Sequence, residues 1–306
     1  MENQNTIKRE NEKDIDLGEI IHVIYALKFF IIKVVSISVI ISIIYSLLLP
    51  NIYTSEALLA QNSSSGSTSS ASDALGGLAS ITGISLGGMN SEAKRNLITI
   101  ETLKSRKFFS EYIYEKVLIN LMAIDNWDAS LGVVNIDPNI YDVKENKWVD
   151  GWNKPTIQTA HRQFLSGMDI VENENRGGLV TISIRHKSPN VAKEWVVLII
   201  DSINDAIRKK DIKDSQEAIN FLVARLANTK QVSLNEALSA LVAEQTKTMM
   251  LANISDEYVL KIIDPPVVNE LKSSPRRSLI VLLGMLLGFF GAIFMILIRH
   301  FYFKKI

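Results

Sequence analysis

The 306-residue chain carries 33 Lys and Arg against 33 Asp and Glu, holds no cysteine and is 47% hydrophobic. Balanced charge supplies no net field to draw in nucleic acid or an anionic surface. Without cysteine there is no disulfide framework, thiolate metal site or cysteine nucleophile. Residues 1–28 form a polar tail with Lys8, Arg9, Lys13 and Lys28. Phe29–Leu49 is an apolar run interrupted by Lys33, whose ammonium can snorkel to the interface one turn inside the end. The run is full length, ends in Pro50 and lacks a small-residue cleavage site. It therefore predicts a retained transmembrane helix over 29–49.

Tyr53–Ala60 reads as a short strand. Half of Gln61–Asn90 is Ser or Gly, which predicts a mobile loop over 61–90. Its second part, where Leu75, Leu78, Ile81, Ile84 and Leu86 alternate with glycines, also suits a segment laid on a partner surface. Ser91–Met122 repeats apolar residues at helical spacing. Ala123–Thr156 reads as loop, and Thr156–Leu165 as a short helix. Met168–Val171 and Leu179–His186 read as strands joined by a turn rich in Asn and Gly. Ser188 and Pro189 open a long helix, Pro189–Ala227, in N-cap and first-turn positions. A capping box at Ser233–Glu236 predicts a second helix, Ser233–Ala252. Tyr258–Ile263 reads as a returning strand, and Pro265, Pro266 and Pro275 stiffen the approach to a second apolar run. That run, Leu279–Ile298, has no charge and predicts a second transmembrane helix over 279–298, followed by the tail 299–306.

The expected fold is thus an α+β membrane protein. Two transmembrane helices flank a domain spanning 50–278. Its α/β base comprises 50–60, 91–188 and 253–278, and the long helices of 189–252 project from it. Lys and Arg gather before the first span and after the second, which places both termini in the cytoplasm. Lys272, Arg276 and Arg277 at the outer mouth of the second span argue the other way, but the first span usually dominates.

Gly284, Gly288 and Gly291 let two helices approach closely in lipid. They suit a seam to a partner or a neighbouring protomer, although glycine is also simply frequent in membrane helices. Pro265, Pro266 and Pro275 are expected to set the angle of the chain as it nears the membrane. Trp127, Trp148 and Trp152 could stack on sugars, with ordinary packing the favoured reading. Met249 and Met250 read as packing residues. Lys209, Lys210, Lys213 and Arg225 read as a solvated face or an inter-protomer surface. His22, His161, His186 and His300 are scattered, and no hydrolase or phosphate-loop motif occurs. Asp125 and Asp128 could in principle cleave a glycoside as a carboxylate pair, but they sit in a loop rich in turn formers, where such neighbours arise by chance. No catalytic, cofactor-binding or metal residue is expected, and no cofactor.

Several stretches resemble the bacterial polysaccharide chain-length determinants, the Wzz-like polysaccharide co-polymerases without a kinase domain. They are Gly76–Ile84, Leu103 with Ser105–Phe108, Glu244–Ala252, Ile263–Val268, and Pro275–Ile280 leading into Gly284 and Gly288. Their order, together with the two spans, carries the resemblance. Asn269 stands where the family commonly has a further proline. The resemblance implies a homo-oligomer in the bacterial inner membrane with its main domain in the periplasm. It implies a non-enzymatic regulator of the modal length of a surface polysaccharide, with O-antigen of lipopolysaccharide as the expected polymer. Partners would be a separate Wzy-type polymerase and lipid-linked polysaccharide. Capsule-type relatives often carry a kinase after the second span, for which the tail 299–306 is expected to leave no room. An exopolysaccharide or capsule co-polymerase with a separate kinase and a two-span periplasmic sensor remain the alternatives.

Overall fold

The computed structural model describes residues 25–62, 91–173, 178–228 and 231–303. From residue 63 on, the expected loop lies outside the described residues, as do 1–24, 174–177, 229–230 and 304–306. In chain order the elements are α1 (Lys28–Leu48), β1 (Tyr53–Gln61), α2 (Ser91–Lys104), α3 (Arg106–Phe108), a π-helical turn Phe109–Ile113, and α4 (Tyr114–Met122). Two small hairpins follow, β2 (Ile124–Asp128) with β3 (Val133–Ile136) and β4 (Tyr141–Asp142) with β5 (Lys147–Trp148). Then come α5 (Ile157–Gly167), β6 (Met168–Asn173), β7 (Leu179–His186), α6 (Pro189–Ala227), α7 (Val232–Ile254), β8 (Leu260–Asp264) and α8 (Arg277–Phe303). The chain divides into two compact units, Met1–Pro50 with Ser274–Ile306, and Asn51–Ser273.

In the first unit α1 and α8 are both long and apolar enough to cross a bilayer. They pack directly on each other, with Ile31, Ala292 and Ile296 buried between them.

The second unit is built on one antiparallel sheet in the order β6-β7-β1-β8. Alternation decides its faces. Val180, Ile182 and Ile184 of β7 and Ala57 and Leu59 of β1 are buried, and the residues between them are not. The buried row meets Val191, Trp195, Val196, Ile199, Ile200 and Ile203 on the first half of α6. Each such side chain withdrawn from water contributes about 1.5–3 kcal/mol. The sheet therefore anchors the long helix by its N-terminal half.

The expected helix over 91–122 is interrupted. Ser105 leaves the helical conformation and its hydroxyl accepts from the Phe108 N–H at 3.1 Å, capping a new start. The π-helical turn then answers a packing demand, because Phe108, Phe109, Ile113 and Tyr114 are all buried. Residues five apart diverge by about 140° on an α-helix, and the wider turn returns both pairs to one face. The expected loop over 123–156 holds the two hairpins instead, whose strands of 2–5 residues are too short to show a period. The second long helix begins at Val232 rather than at a Ser233 cap. Gln231 precedes it without a side-chain cap bond, and Asn235 N–H reaches the Gln231 carbonyl at 3.0 Å.

At 39 residues α6 runs about 58 Å. Beyond Asn204 only Ser215 is buried on it, and only Ala252 on α7, so the outer parts of the two helices lie largely on each other. Lys209, Lys210 and Lys213 are committed along the helix, to Asp205 at 2.6 Å, Asp214 at 2.7 Å and Glu217 at 3.9 Å. Exposed pairs of this spacing add only a few tenths of a kcal/mol each. Closer in, Asn204 is buried and makes three hydrogen bonds. Its amide donates to the Leu260 carbonyl at 3.0 Å, and its oxygen accepts from Val259 N–H at 2.8 Å and Leu260 N–H at 2.9 Å. Nearby, Tyr258 hydroxyl donates to Asp211, which also pairs with Arg95, so α2, α6 and the start of β8 meet there. Burial and the Asp211 charge push the Tyr258 phenol up to about 12.

His186 lies buried under the start of α6, its ring against Trp195. Its Nδ1 accepts from the Ser188 N–H at 3.1 Å, which leaves Nε2–H to donate to the Asn120 carbonyl at 3.1 Å. Burial holds its pKa below the ordinary 6.5, with Lys187 adding to the effect. Protonation would also take the lone pair that Ser188 uses. Below pH 6.5 the unfolded chain binds a proton that the native chain resists, so stability falls as pH drops through that value. Thermal melts of the detergent-solubilised chain should show a decline from pH 7 towards pH 5 that His186→Gln makes shallower. An identical slope in both proteins would remove His186 as a source.

Candidate functional site

The two helices of the membrane unit approach closely enough to exclude a side chain. A Cβ placed on Gly284 would stand 1.7 Å from Ser42 Oγ and 2.6 Å from Ser42 Cβ. One on Gly288 would stand 2.6 Å from Ser38 Cβ and 3.4 Å from the Val35 backbone. Ser42 meets Gly284 while Val35 meets Gly288, so α1 and α8 run antiparallel. Ser38 hydroxyl donates to the Gly284 carbonyl at 2.7 Å, a bond across the seam that hydrocarbon surroundings cannot replace. Ser46, one step further along the same stripe, is buried as well. Gly284 and Gly288 thus face the chain's own first span, whereas Gly291 has nothing within 4 Å. The outward faces carry Ile37, Ile40 and Ile44 on α1 and Leu283, Leu287, Phe290 and Phe294 on α8, all exposed. The serines carry the signal that hydropathy passes over: Ser38, Ser42 and Ser46 recur every fourth residue.

The segment before the second span is laced by side chains. Pro265 and Pro266 follow β8 and have no N–H to extend its ladder, and Pro266 is buried. Ser55 hydroxyl donates to the Val267 carbonyl at 2.8 Å, and the Asn269 amide donates to the Thr54 carbonyl. Thr54 hydroxyl donates to Ser273 Oγ at 2.8 Å, and Ser273 donates to the Ile52 carbonyl through N–H at 2.9 Å and Oγ at 3.0 Å. A proline at 269 would fix φ, but it could not make the Thr54 bond. The Asn269 amide therefore supplies restraint by another route. Pro275 falls in the membrane unit, just before α8.

The other candidates are structural where their contacts are defined. Asp128 accepts from Ser130 N–H, Ser130 hydroxyl and Leu131 N–H, closing the β2–β3 turn. Those bonds, the Ser130 hydroxyl first, hold its carboxyl below the usual carboxylate range, so it is an ionised acceptor with no proton to give. Trp148 packs edge-on against Tyr141 at 5.2 Å, and Trp127 lies near Gly132, while Trp152 is half exposed. His161 bonds the Lys104 carbonyl at 3.0 Å at the end of α2. Arg225 stacks over Phe221 at 5.4 Å. Among the described residues no group of three His, Cys, Asp or Glu side chains could hold a metal ion.

The model of the Wzz chain length determinant protein family matches residues 13–116. It is this N-terminal part of the chain that is similar to the family. The match runs from before α1 through β1 and α2 into α4, and so includes Ser38, Ser42 and the lacing residues Thr54 and Ser55. Among solved structures, the chain is similar to a full-length bacterial polysaccharide co-polymerase. The two are 14% identical over 94% of this chain and 99% of that one, with a TM-score of 0.40. It is also similar to a fragment of WzzB, a polysaccharide co-polymerase from Salmonella Typhimurium. That pair is 11% identical over 73% of this chain and 100% of that one, with a TM-score of 0.29. No curated protein matches the chain.

Proposed function

We propose that this chain regulates the modal length of a surface polysaccharide without being an enzyme itself. The observation that carries the reading is the match of residues 13–116 to the chain length determinant family. Both termini lie in the cytoplasm and the Asn51–Ser273 unit in the periplasm, in keeping with the clustering of Lys and Arg at the two ends. The polymer is lipopolysaccharide O-antigen, and the bonds are made by a separate Wzy-type polymerase acting on lipid-linked repeats. Several copies of the chain assemble around that machinery. The outward face of the two spans, with Gly291, meets the polymerase, while Pro265, Pro266 and Pro275 stiffen the chain on its approach to the second span.

A gel ladder of surface polysaccharide from cells with and without the gene tests this. Loss of the modal cluster, leaving a smooth decay of lengths, is the expected result. An unchanged ladder rejects O-antigen as the polymer, and complete loss of polymer rejects a purely regulatory role.

A further inference from the structure

The segment after β8 forms one wall of an open groove of about 450 Å³ against the first half of α6. Val197, Leu198 and Val268 give it an apolar lining, and Lys193, Glu194 and Asp201 add charge. Three residues beyond Val268 stands Leu271, 85% exposed, the most exposed large apolar side chain among the described residues. It is flanked by Glu270 and Lys272, both exposed. None of these five charged side chains forms an ion pair within the described residues. One surface of the unit is therefore an apolar socket with free charges of both signs. Another is an apolar plug between an acid and a base.

We propose that the groove receives Glu270-Leu271-Lys272 of a second copy of the same chain. Leu271 fills the apolar part, Glu270 faces Lys193, and Lys272 faces Asp201. The spacing permits it. Lys193 and Asp201 lie about 12 Å apart along the helix. Across the bend at Glu270 and Leu271, Glu270 and Lys272 lie at most about 7 Å apart, and their long side chains span the remainder. Reversed, the segment would set Glu270 against Asp201, whereas at the other end Lys193 and Glu194 offset each other, so Asp201 fixes its direction. Plug and socket are different surfaces, which makes the contact head-to-tail. Each copy both gives a plug and receives one. Copies held in one orientation by a bilayer then close into a ring. This inference rests on the assembly reading above and names the surface through which it occurs.

The absence of native cysteine makes the test direct. The chain carrying Leu271→Cys together with Val197→Cys is oxidised in native membranes and compared with each single variant. Leu198→Cys replaces Val197→Cys as a second socket position. The expected result is a covalent ladder of dimers, trimers and larger species from either double variant, with the single variants staying monomeric. Lys193→Glu should cut the yield several-fold, and adding Glu270→Lys should restore it. If neither double variant forms a ladder while the unsubstituted chain migrates as an oligomer on native gels, the groove is wrong and the assembly stands. If the unsubstituted chain migrates as a monomer, both fall. Self-crosslinking of Leu271→Cys alone would mean two plugs abut, which overturns the head-to-tail contact. Quenching of a probe on that thiol by bilayer-embedded quenchers would place Leu271 in lipid, with the same consequence.

Discussion

Gly284→Leu is expected to force the two spans apart and, with them, to disturb polysaccharide length. The clash is not with the free end of a side chain alone, because Ser42 Cβ itself lies 2.6 Å from the new Cβ position. Either the helix axes separate or α8 rotates, and both movements break the Ser38 bond to the Gly284 carbonyl. Overpacking of this kind costs about 1–3 kcal/mol, and an interhelical bond in lipid adds about 0.6 kcal/mol. Gly291→Leu provides the control, since nothing stands within 4 Å of that position. It should leave the melting temperature of the detergent-solubilised chain nearly unchanged, and it isolates the outward face proposed for the polymerase. A shifted melt and an altered ladder for Gly284→Leu would tie length control to the seam within one chain. A normal ladder despite a lowered melt would show that the seam serves folding only.

The second large effect lies at Asn204. Replacement by leucine strips partners from two backbone N–H groups, at Val259 and Leu260, and from the Leu260 carbonyl. Each buried group left unpaired costs about 1–3 kcal/mol, so a loss of about 3–5 kcal/mol is expected. The injury should be local as well as global. Amide exchange should accelerate first at Val259 and Leu260, where β8 begins. Denaturant unfolding of the full chain in detergent gives the size. A loss under about 1 kcal/mol would mean that water enters and takes over the bonds.

Much of this architecture is legible along the chain, and what is hidden follows a rule. Both spans announce themselves by length and apolar content, the second without a charge, and β7 by the alternation of Val180, Ile182 and Ile184. Ser188 and Pro189 mark the start of α6, where the Ser188 hydroxyl does accept from the Val191 N–H. These are local signals, readable within a few residues. The spacing of Gly284 and Gly288 is local too, but its partners Ser38 and Ser42 lie more than two hundred residues away. Nothing near the glycines could say whether they meet another protein or their own chain. The placement of β1 between β7 and β8 is equally non-local. The Ser233–Glu236 pattern misleads for a different reason. A helix that starts on the Gln231 carbonyl already contains Ser233, so a cap in sequence becomes an interior residue in space. At the groove, a single leucine in a polar linker has no pattern, and exposure alone distinguishes Leu271.

The bond from Ser273 N–H to the Ile52 carbonyl, 2.9 Å long, joins the two extremities of the Asn51–Ser273 unit. A folded body whose ends are pinned together is topologically an insertion, and its removal leaves two chain ends, Pro50 and Ser274, a short turn apart. The membrane hairpin could then be closed by a brief linker, and the excised body could be made circular or grafted between the helices of another anchor. Lengthening or trimming either half becomes a separate engineering choice.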